Sequence, residues 1–277
     1  MNPNRTVIDA NKKGIRLNLR ELLKYKDLFL TLAYRDLRVR YAQTFLGFLW
    51  AFLQPITTLV ILFVVFGRVA KIDTGGVPYP IFAMCGMSAW TYFAFVMNQS
   101  GTSIISSQNM IKKIYFPRLI IPLSKAVVGF VDFAITFLLV IILMLIYQFQ
   151  PSWNIVYLPI FIIITIISAL GVGIWLSALT IRYRDFQHIV PFMVQFGLYT
   201  TPVAYPASTV VDTLPKWASI IYFMNPMAGV VEGFRWSLIG GNPPSELAYV
   251  SFAVIFIIFV SGLFYFRKVE KVMADIV

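Results

Sequence analysis

The sequence predicts an all-α polytopic membrane protein with six transmembrane helices, an N-terminal amphipathic interface helix, and a re-entrant helical hairpin between spans five and six. Three observations support this fold class. Of the 277 residues, 59% are hydrophobic and only 13% are charged, whereas soluble domains carry about 25% charged residues. Several apolar stretches reach the roughly 20 residues that a helix needs to cross a bilayer. Nineteen of the 23 Lys and Arg residues fall on one side of these stretches, a bias that identifies cytoplasmic loops.

The chain divides into two parts. Residues 1–44 are expected to form a cytoplasmic tail and the interface helix, because between Leu22 and Tyr41 one helical face is apolar and the opposite face is charged. Residues 45–277 are expected to form the transmembrane domain. Basic turns and Pro/Gly clusters delimit its predicted spans, which cover about 46–66, 81–97, 119–147, 155–179, 187–205 and 247–266.

Two shorter elements interrupt the series of spans. After the second span, a Ser-rich segment becomes amphipathic and predicts a short helix over about 106–116, with Ser106 or Ser107 as the N-cap. Between spans five and six, prolines break apolar stretches that are too short to cross a bilayer. Such backbone is tolerated at membrane depth only inside protein or beside a water-filled cavity. Residues 206–240 are therefore predicted to form the re-entrant hairpin, turning at Asn225-Pro226.

Several functional classes find no support in the residues. The single histidine, His188, and the single cysteine, Cys85, provide neither a multi-histidine metal centre nor a disulfide framework. A membrane enzyme acting on lipid-linked sugars would need an acid, base or metal cluster, and none is evident. A secondary transporter would show inverted repeats. Membrane topology accounts for the net charge of +11 without nucleic acid. The chain also lacks a GxxxxGK[ST] motif, so energy from ATP would have to come from a partner.

Two ionisable residues lie inside the third predicted span, where charges are costly and usually pair or face water. Lys125 and Asp132 are seven residues apart and thus share a helical face. A structural ion pair between them is one interpretation, and a position facing a channel is the other.

Four separated signatures make the chain resemble the permease subunit of type-2 ABC exporters, in the branch that exports O-antigen, capsule or teichoic acid. The resemblance covers about residues 22–266. The signatures comprise Arg35-Asp36-Leu37, Arg40-Tyr41, Leu46-Gly47, Trp50 and Pro55; Asn109, Ile111, Lys113, Phe116-Pro117-Arg118 and Pro122; Arg184-Asp185; and Thr201-Pro202-Val203, Tyr205-Pro206, Asn225-Pro226 and Arg235. The chain departs from the family pattern at Phe186, where an aliphatic residue is usual.

This resemblance implies a homodimer in the bacterial inner membrane, with cytoplasmic termini and a channel between its two copies. Two copies of an ATP-binding subunit would drive it, holding ATP and Mg²⁺, while this chain itself would bind no cofactor and catalyse no reaction. The expected cargo is a polysaccharide on a polyprenyl diphosphate, with O-antigen as the first choice. Teichoic acid, capsule polymer and small amphiphiles are the alternatives. The sequence leaves open the identity of the polymer and its cap, the type of cell envelope, and whether the channel rests open or closed.

Three sets of residues receive expected roles within this family. Cationic and neighbouring groups at the cytoplasmic mouth would bind the diphosphate, or would instead set topology and meet anionic lipids: Arg35, Arg38, Arg40, Tyr41, Arg182 and Arg184. Aromatic residues would stack on sugars along the channel, or would form interfacial belts: Phe45, Phe48, Trp50, Phe52, Phe192, Phe196, Tyr199 and Tyr205. The short helix would couple to the ATPase, or would be a plain surface loop: Asn109, Met110, Ile111, Lys112, Lys113 and Tyr115.

Overall fold

The computed structural model describes residues 19–41 and 49–271, and their regular secondary structure is entirely helical. A π-helical turn, Phe63–Val69, extends the third helix, and a 3-10 turn, Trp153–Tyr157, leads into the seventh. The helices are α1 Leu19–Lys24, α2 Lys26–Tyr41, α3 Leu49–Leu62, α4 Tyr79–Ser106, α5 Gln108–Ile111, α6 Ile120–Ile146, α7 Leu158–Arg182, α8 Phe186–Thr200, α9 Ala207–Thr213, α10 Lys216–Phe223, α11 Pro226–Ile239 and α12 Ala248–Glu270.

Five helical segments in the described part of the chain are long and apolar enough to cross a membrane: Leu49–Val69, Tyr79–Ser106, Ile120–Ile146, Trp153–Arg182 and Ala248–Glu270. Predicted spans one, two, three, four and six each fall on one of them, although residues 46–48 lie outside the described part. The fifth predicted span does not reach its predicted end. Its helix, α8, stops at Thr200 after 15 residues, because Pro202 and Pro206 follow.

The second span is longer than predicted, because the hydroxyl groups of its serines donate hydrogen bonds to backbone carbonyls. The Ser100 hydroxyl donates to the Pro122 carbonyl at 3.0 Å, and the Ser103 hydroxyl donates to the Ser100 carbonyl at 2.7 Å. The polar segment therefore continues α4 as a mostly buried helix up to Ser106. The short helix predicted over 106–116 is reduced to the single turn of α5, with Ser107 at its N-cap position but without a side-chain hydrogen bond.

Helix α4 is the centre of the bundle. It packs most extensively against α6 and α7 and also contacts α3, α8 and α11. Small residues on the neighbouring helices allow this close approach. A Cβ atom added at Gly173 of α7 would lie 2.7 Å from the Ser100 Cβ. Helix α11 packs on α7 in the same way, since a Cβ at Gly233 would overlap the ring of Phe161.

The ends of several helices meet at one end of the bundle, where the backbone N–H of Arg118 donates to Glu270 Oε1 at 3.1 Å. The start of α6 therefore lies beside the end of α12. Buried Phe116, Ile181 and Phe266 share one apolar cluster there. We call this the basic end, because it carries Lys112, Lys113, Arg118, Arg182, Arg184, Arg267, Lys268 and Lys271.

Helix α2 packs against protein and buries only part of the apolar face that its sequence pattern predicts, which includes buried Ala33 and half-buried Phe29 and Leu37. Its buried residues are Leu32 and Ala33, which face the cluster at the basic end or the neighbouring α6. By contrast, Leu23, Leu30 and Tyr34 of the predicted apolar face are 70%, 57% and 65% exposed. The pattern therefore identified the helix but not its partner.

Candidate functional site

Three residues of the first signature, Asp36, Arg40 and Tyr41, form a side-chain junction between α2 and α6. Lys125 Nζ lies 2.5 Å from Asp36 Oδ2, and Arg40 Nη2 lies 2.7 Å from Asp132 Oδ2. The interpretation that Lys125 pairs with Asp132 is therefore wrong: each of them pairs with α2. Two residues that are seven positions apart on one helix are separated by about 10 Å along its axis. Each of their side chains therefore reaches an oppositely charged group on an adjacent helix more easily than it reaches the other.

Tyr41 completes this junction. Its hydroxyl donates to Asp132 Oδ1 at 2.6 Å. Burial and this hydrogen bond raise the pKa of Tyr41, so the hydroxyl keeps its proton at physiological pH. The Arg40 guanidinium also lies over the ring of Phe95, at 4.4 Å from its centroid. The charge of Arg40 is thus neutralised by Asp132, and its guanidinium is stacked on an aromatic ring. An anionic ligand would have to compete with Asp132 for this guanidinium.

The other predicted arginines are exposed and belong to two separate helix ends. Arg35 is paired with its neighbour Asp36 at 2.7 Å, and Arg38 is exposed on α2. Arg182 lies beside the ring of Tyr183 in the turn between α7 and α8. Arg184 lines a cavity of about 380 Å³ together with residues of α4, α5 and α8. Arg182 and Arg184 belong to the basic end, and Arg35 and Arg38 are exposed on α2.

Helix α8 has different cavities on its two faces. An apolar cavity of about 940 Å³ lies between α4, α7, α8, α10 and α12, and Phe192 and Phe196 line it with their ring centroids 4.3 Å apart. A more polar cavity of about 420 Å³ lies between α3, α4, α6 and α8, and Tyr199 lines it. Trp90 of α4 lines both cavities and packs against Gly197. One helix therefore separates a polar space from an apolar one.

The described members of the predicted aromatic set lie on α3, on α8 and in the segment after α8. Trp50 is 53% exposed on α3, and Phe52 packs against the main core cluster. Tyr205 donates its hydroxyl to the Tyr199 carbonyl at 3.0 Å, beyond the end of α8. Phe45 and Phe48 lie outside the described residues.

The polar cavity contains groups that the sequence reasoning missed. Four side-chain amides line it, from Gln54, Asn98, Gln99 and Gln195. The signal was present in the sequence, because amides inside apolar stretches are costly unless something satisfies them. Without a known arrangement of the helices, nothing indicated that they would converge.

Arg235 supports the non-helical segment after α8. This buried residue donates Nε to the Phe82 carbonyl at 3.2 Å, Nη1 to the Tyr205 carbonyl at 3.1 Å, and Nη2 to the Val203 carbonyl. Its guanidinium also lies 3.6 Å from the ring centroid of Phe82. Arg235 thus supplies donors to the Val203 and Tyr205 carbonyls, which lie outside the helices, and an additional donor to the Phe82 carbonyl within α4. Arg235 belongs to the last signature, but the sequence pattern alone indicated no role for it.

Asn225 supports the same segment from the predicted turn position. Its Oδ1 accepts from the backbone N–H of Met227 and caps α11, while Nδ2 donates to Thr201 Oγ1 at 2.9 Å. Helices α10 and α11 meet at this residue, as the Asn225-Pro226 pair predicted. The last signature is therefore a structural unit that fixes residues 201–206.

The segment around α5 forms an exposed surface at the basic end. Met110 and Ile111 pack into the apolar cluster that also receives Leu22 of α1. Asn109, Lys112 and Lys113 are exposed, as is Tyr115, so this surface is open to a partner. Burial, followed by the negative charges of Glu21 and Glu270, raises the pKa of Tyr115. The tip after α5 and the start of α1 therefore lie close enough to influence one another.

Comparison with known proteins identifies the family. Residues 27–239 match the family described as ABC-2 type transporter. The chain is 30% identical over 261 residues to the O-antigen export system permease protein RfbA of Myxococcus xanthus, covering 92% of this chain and 98% of that protein. It is 29% identical to the protein of the same name from Klebsiella pneumoniae, over 90% of this chain and 95% of the relative. Identity to the polysialic acid transport protein KpsM of Escherichia coli is 23%, over 86% and 92% of the two chains. Together with the five long apolar helices, these matches establish that the chain is a multi-pass membrane protein of the ABC-2 type transporter family.

Proposed function

We propose that this chain is the membrane subunit of an ATP-driven exporter, which moves polyprenyl-diphosphate-linked polysaccharide across the bacterial inner membrane. The observation that carries the proposal is the near full-length similarity to permeases named for O-antigen export. The cargo assigned here is O-antigen or a related surface polysaccharide. The similarity to a polysialic acid transport protein favours a capsule polymer as the second candidate.

The proposed topology has six crossings, with the basic end in the cytoplasm. Lys and Arg concentrate at that end, as the positive-inside rule requires. Helix α7 ends there, and the contact between Arg118 and Glu270 supports an α12 that also ends there. The chain between them must therefore cross once more. Helix α8 and residues 201–206 make this crossing, although α8 alone spans only about 22 Å.

The segment from α9 to α11 is proposed to re-enter the membrane. Its helices have 7, 8 and 14 residues, so each is too short to cross. The Ser152 N–H donates to the Leu238 carbonyl, which supports an end of α11 beside the outer loop. Near the start of α11, the Sδ atom of Met227 accepts a hydrogen bond from the Ser168 hydroxyl. Ser168 lies ten residues after the start of α7, which is about 15 Å along that helix. The turn at Asn225 therefore lies well below that end.

Two copies of the chain and two ATPase subunits are proposed to form the working exporter. Helix α3 is largely exposed, and α8 exposes Phe192, Phe196 and Tyr199, so these two helices are the candidates for a channel between copies. The surface around Lys112, Lys113 and Tyr115 is the candidate contact for the ATPase. Because α1 lies close to this surface, ATP-driven movement would reach α2 and, through its ion pairs, α6.

The test is affinity purification of the tagged chain in mild detergent. We expect an ATP-binding subunit to copurify one to one, and the complex to hydrolyse ATP. We also expect cells depleted of the chain to lose surface glycan and to retain lipid-linked glycan inside. A tagged, unrelated inner-membrane protein is the control. A permease that purifies without any ATPase in several detergents would overturn the proposal.

A reversal of charge on the coupling surface tests the docking assignment. The double variant Lys112→Glu and Lys113→Glu should lose the ATPase while keeping its own dimer, since both side chains are exposed. The matched control reverses Arg68, at the end of the π-helical turn, and Lys71, in the loop that follows, and both of these side chains are exposed. Equal loss of the ATPase in both double variants would contradict the assignment.

A further inference from the structure

Four side-chain amides from three helices converge on the polar cavity and remain unsatisfied. They belong to Gln54 of α3, Asn98 and Gln99 of α4, and Gln195 of α8. Within residues 19–41 and 49–271, none of these amides has a hydrogen-bond partner. Gln54, Gln99 and Gln195 are exposed and Asn98 is half-buried, so their amide groups are accessible from the cavity. Because no described protein group satisfies these amides, they are available to hydrogen-bond water or a polar ligand that enters the cavity.

The charges in the lining of this cavity cancel. Its described ionised groups are Arg40 and Asp132, which pair with each other at 2.7 Å. Asp132 also accepts the hydroxyl of Tyr41. An incoming diphosphate would have to compete with Asp132 for Arg40 and would lie beside its negative charge. The lining therefore favours an uncharged ligand over an anion.

The remaining groups suit hydroxyl-rich rings. Each amide offers both a donor and an acceptor, which is what vicinal hydroxyl groups require. Trp90, Phe95 and Tyr199 add aromatic surface to the lining. One buried guanidinium nitrogen, Arg40 Nη1, has no hydrogen-bond partner among the described groups and can donate to a ligand oxygen. The volume of about 420 Å³ lies within the roughly 300–1,000 Å³ that is usual for ligand sites.

We propose that the polar cavity binds an uncharged sugar unit of the polymer, and not its diphosphate head group. This inference rests on the proposed function and specifies the part of the cargo that this site recognises. It separates Arg40 from the other predicted arginines. Arg35, Arg38, Arg182 and Arg184 are exposed and remain the candidates for the head group.

The test uses the full permease–ATPase complex reconstituted in lipid nanodiscs, with two probes. The first probe is the polymer from the same cells, released from its lipid by mild acid. The second is polyprenyl diphosphate without sugar. In the double variant Gln54→Leu and Gln195→Leu, binding of the first probe should weaken about thirtyfold, since two hydrogen bonds of about 1 kcal/mol each are lost and about 1.4 kcal/mol corresponds to a factor of ten. Binding of the second probe should not change.

Two matched controls isolate the cavity. Gln150→Leu removes an exposed amide that lies outside the cavity and should leave both affinities unchanged. On α3, Thr58 lines the cavity and its neighbour Thr57 does not. Both hydroxyls donate to the backbone four residues earlier. Thr58→Val should therefore weaken binding of the polymer slightly, and Thr57→Val should have no effect.

Several results would overturn the inference. One is an unchanged affinity of the double variant for the released polymer, and another is an equal loss of affinity for both probes. Failure of the wild-type complex to bind the released polymer would also contradict it. Dissociation of the double variant into single copies would show that the amides pair across a dimer instead. In each case a copurifying ATPase and a glycan-export defect in depleted cells would leave the proposed function standing.

Discussion

Two buried cations of this protein are stabilised in different ways. Arg235 donates to three backbone carbonyls and lies over an aromatic ring, whereas Lys125 pairs with the carboxylate of Asp36 on another helix. Backbone carbonyls cannot move away unless the segment itself rearranges. An ion pair between two helices separates by side-chain rotation. The first arrangement therefore fixes residues 201–206 in place, and the second joins α2 to α6 in a way that can be released.

Loss of the Arg235 side chain should have the largest effect. Arg235→Met leaves the Val203 and Tyr205 carbonyls without their donor, while the Phe82 carbonyl keeps its place in α4. An unsatisfied buried group costs about 1–3 kcal/mol, so we expect the free energy of unfolding to fall by about 2–6 kcal/mol, measured by denaturation in mixed SDS and maltoside micelles.

The control for this variant is Arg68→Met. Arg68 is exposed and lies over the ring of Phe63 at 5.3 Å, so it shares the cation–aromatic contact but not the carbonyls. Similar losses in the two variants would show that the carbonyl contacts of Arg235 contribute little.

The ion pair should respond asymmetrically to removal of either partner. Asp36→Leu leaves the charge of the buried Lys125 without its partner. Breaking a fully buried ion pair usually lowers the free energy of unfolding by about 3–5 kcal/mol. Because the Asp36 side chain is 16% exposed, we expect a smaller loss of about 2–3 kcal/mol here. Lys125→Met leaves Asp36 paired with Arg35 and should cost about 1 kcal/mol. The double variant should recover most of the loss in the same denaturation assay. Additive losses would argue that the two side chains do not interact.

Asn225 should have an intermediate effect, because it supports the same segment as Arg235 through fewer bonds. Asn225→Ala removes the cap of α11 and the hydrogen bond to Thr201. We expect a loss of about 1–2 kcal/mol, since a cap alone is worth about 1 kcal/mol. Asn225→Ser keeps a capping oxygen and should recover about half of this loss. A serine variant as unstable as the alanine variant would assign the effect to the Thr201 contact.

Arg35 should have the smallest effect on stability. Its side chain is 49% exposed, and an exposed ion pair contributes about 0–1 kcal/mol. Arg35→Gln should therefore change the free energy of unfolding by less than about 0.5 kcal/mol. Surface glycan levels should be measured for the same variant, because a change in export without a change in stability would indicate a direct role of Arg35 in export. Normal export would remove Arg35 from the head-group proposal.

The sequence predicted the long helices well, since α7 and α12 each have a continuous apolar stretch between charged or Pro-containing ends, and only Lys125 and Asp132 interrupt the one in α6. The sequence did not predict as well which helices pack against one another. Hydrophobic periodicity showed that α2 is a helix, but Leu30 and Tyr34 are exposed while Leu32 is buried. The length of α4 was underestimated, because the polar residues after residue 97 indicated the end of the span. In the structure the hydroxyl groups of Ser103 and Ser100 donate to backbone carbonyls of α4 and α6, respectively, and the helix continues.

The candidate site was predicted only in part, for a related reason. Motif residues such as Arg40 and Tyr41 were identified, and the structure places them in one junction with Asp132. The amides of Gln54 and Gln195 were not identified, because they are more than one hundred residues apart in the chain. Only the arrangement of α3, α4 and α8 brings them to one cavity.

The central position of α4 has a consequence for biosynthesis. It is the least apolar of the five candidate spans and the most buried, so its side chains suit a protein environment better than lipid. Its main neighbours, α6 and α7, are translated after it. A nascent chain that ends before α6 should therefore hold α4 poorly in the bilayer, and stable integration of this span should await synthesis of the helices that surround it.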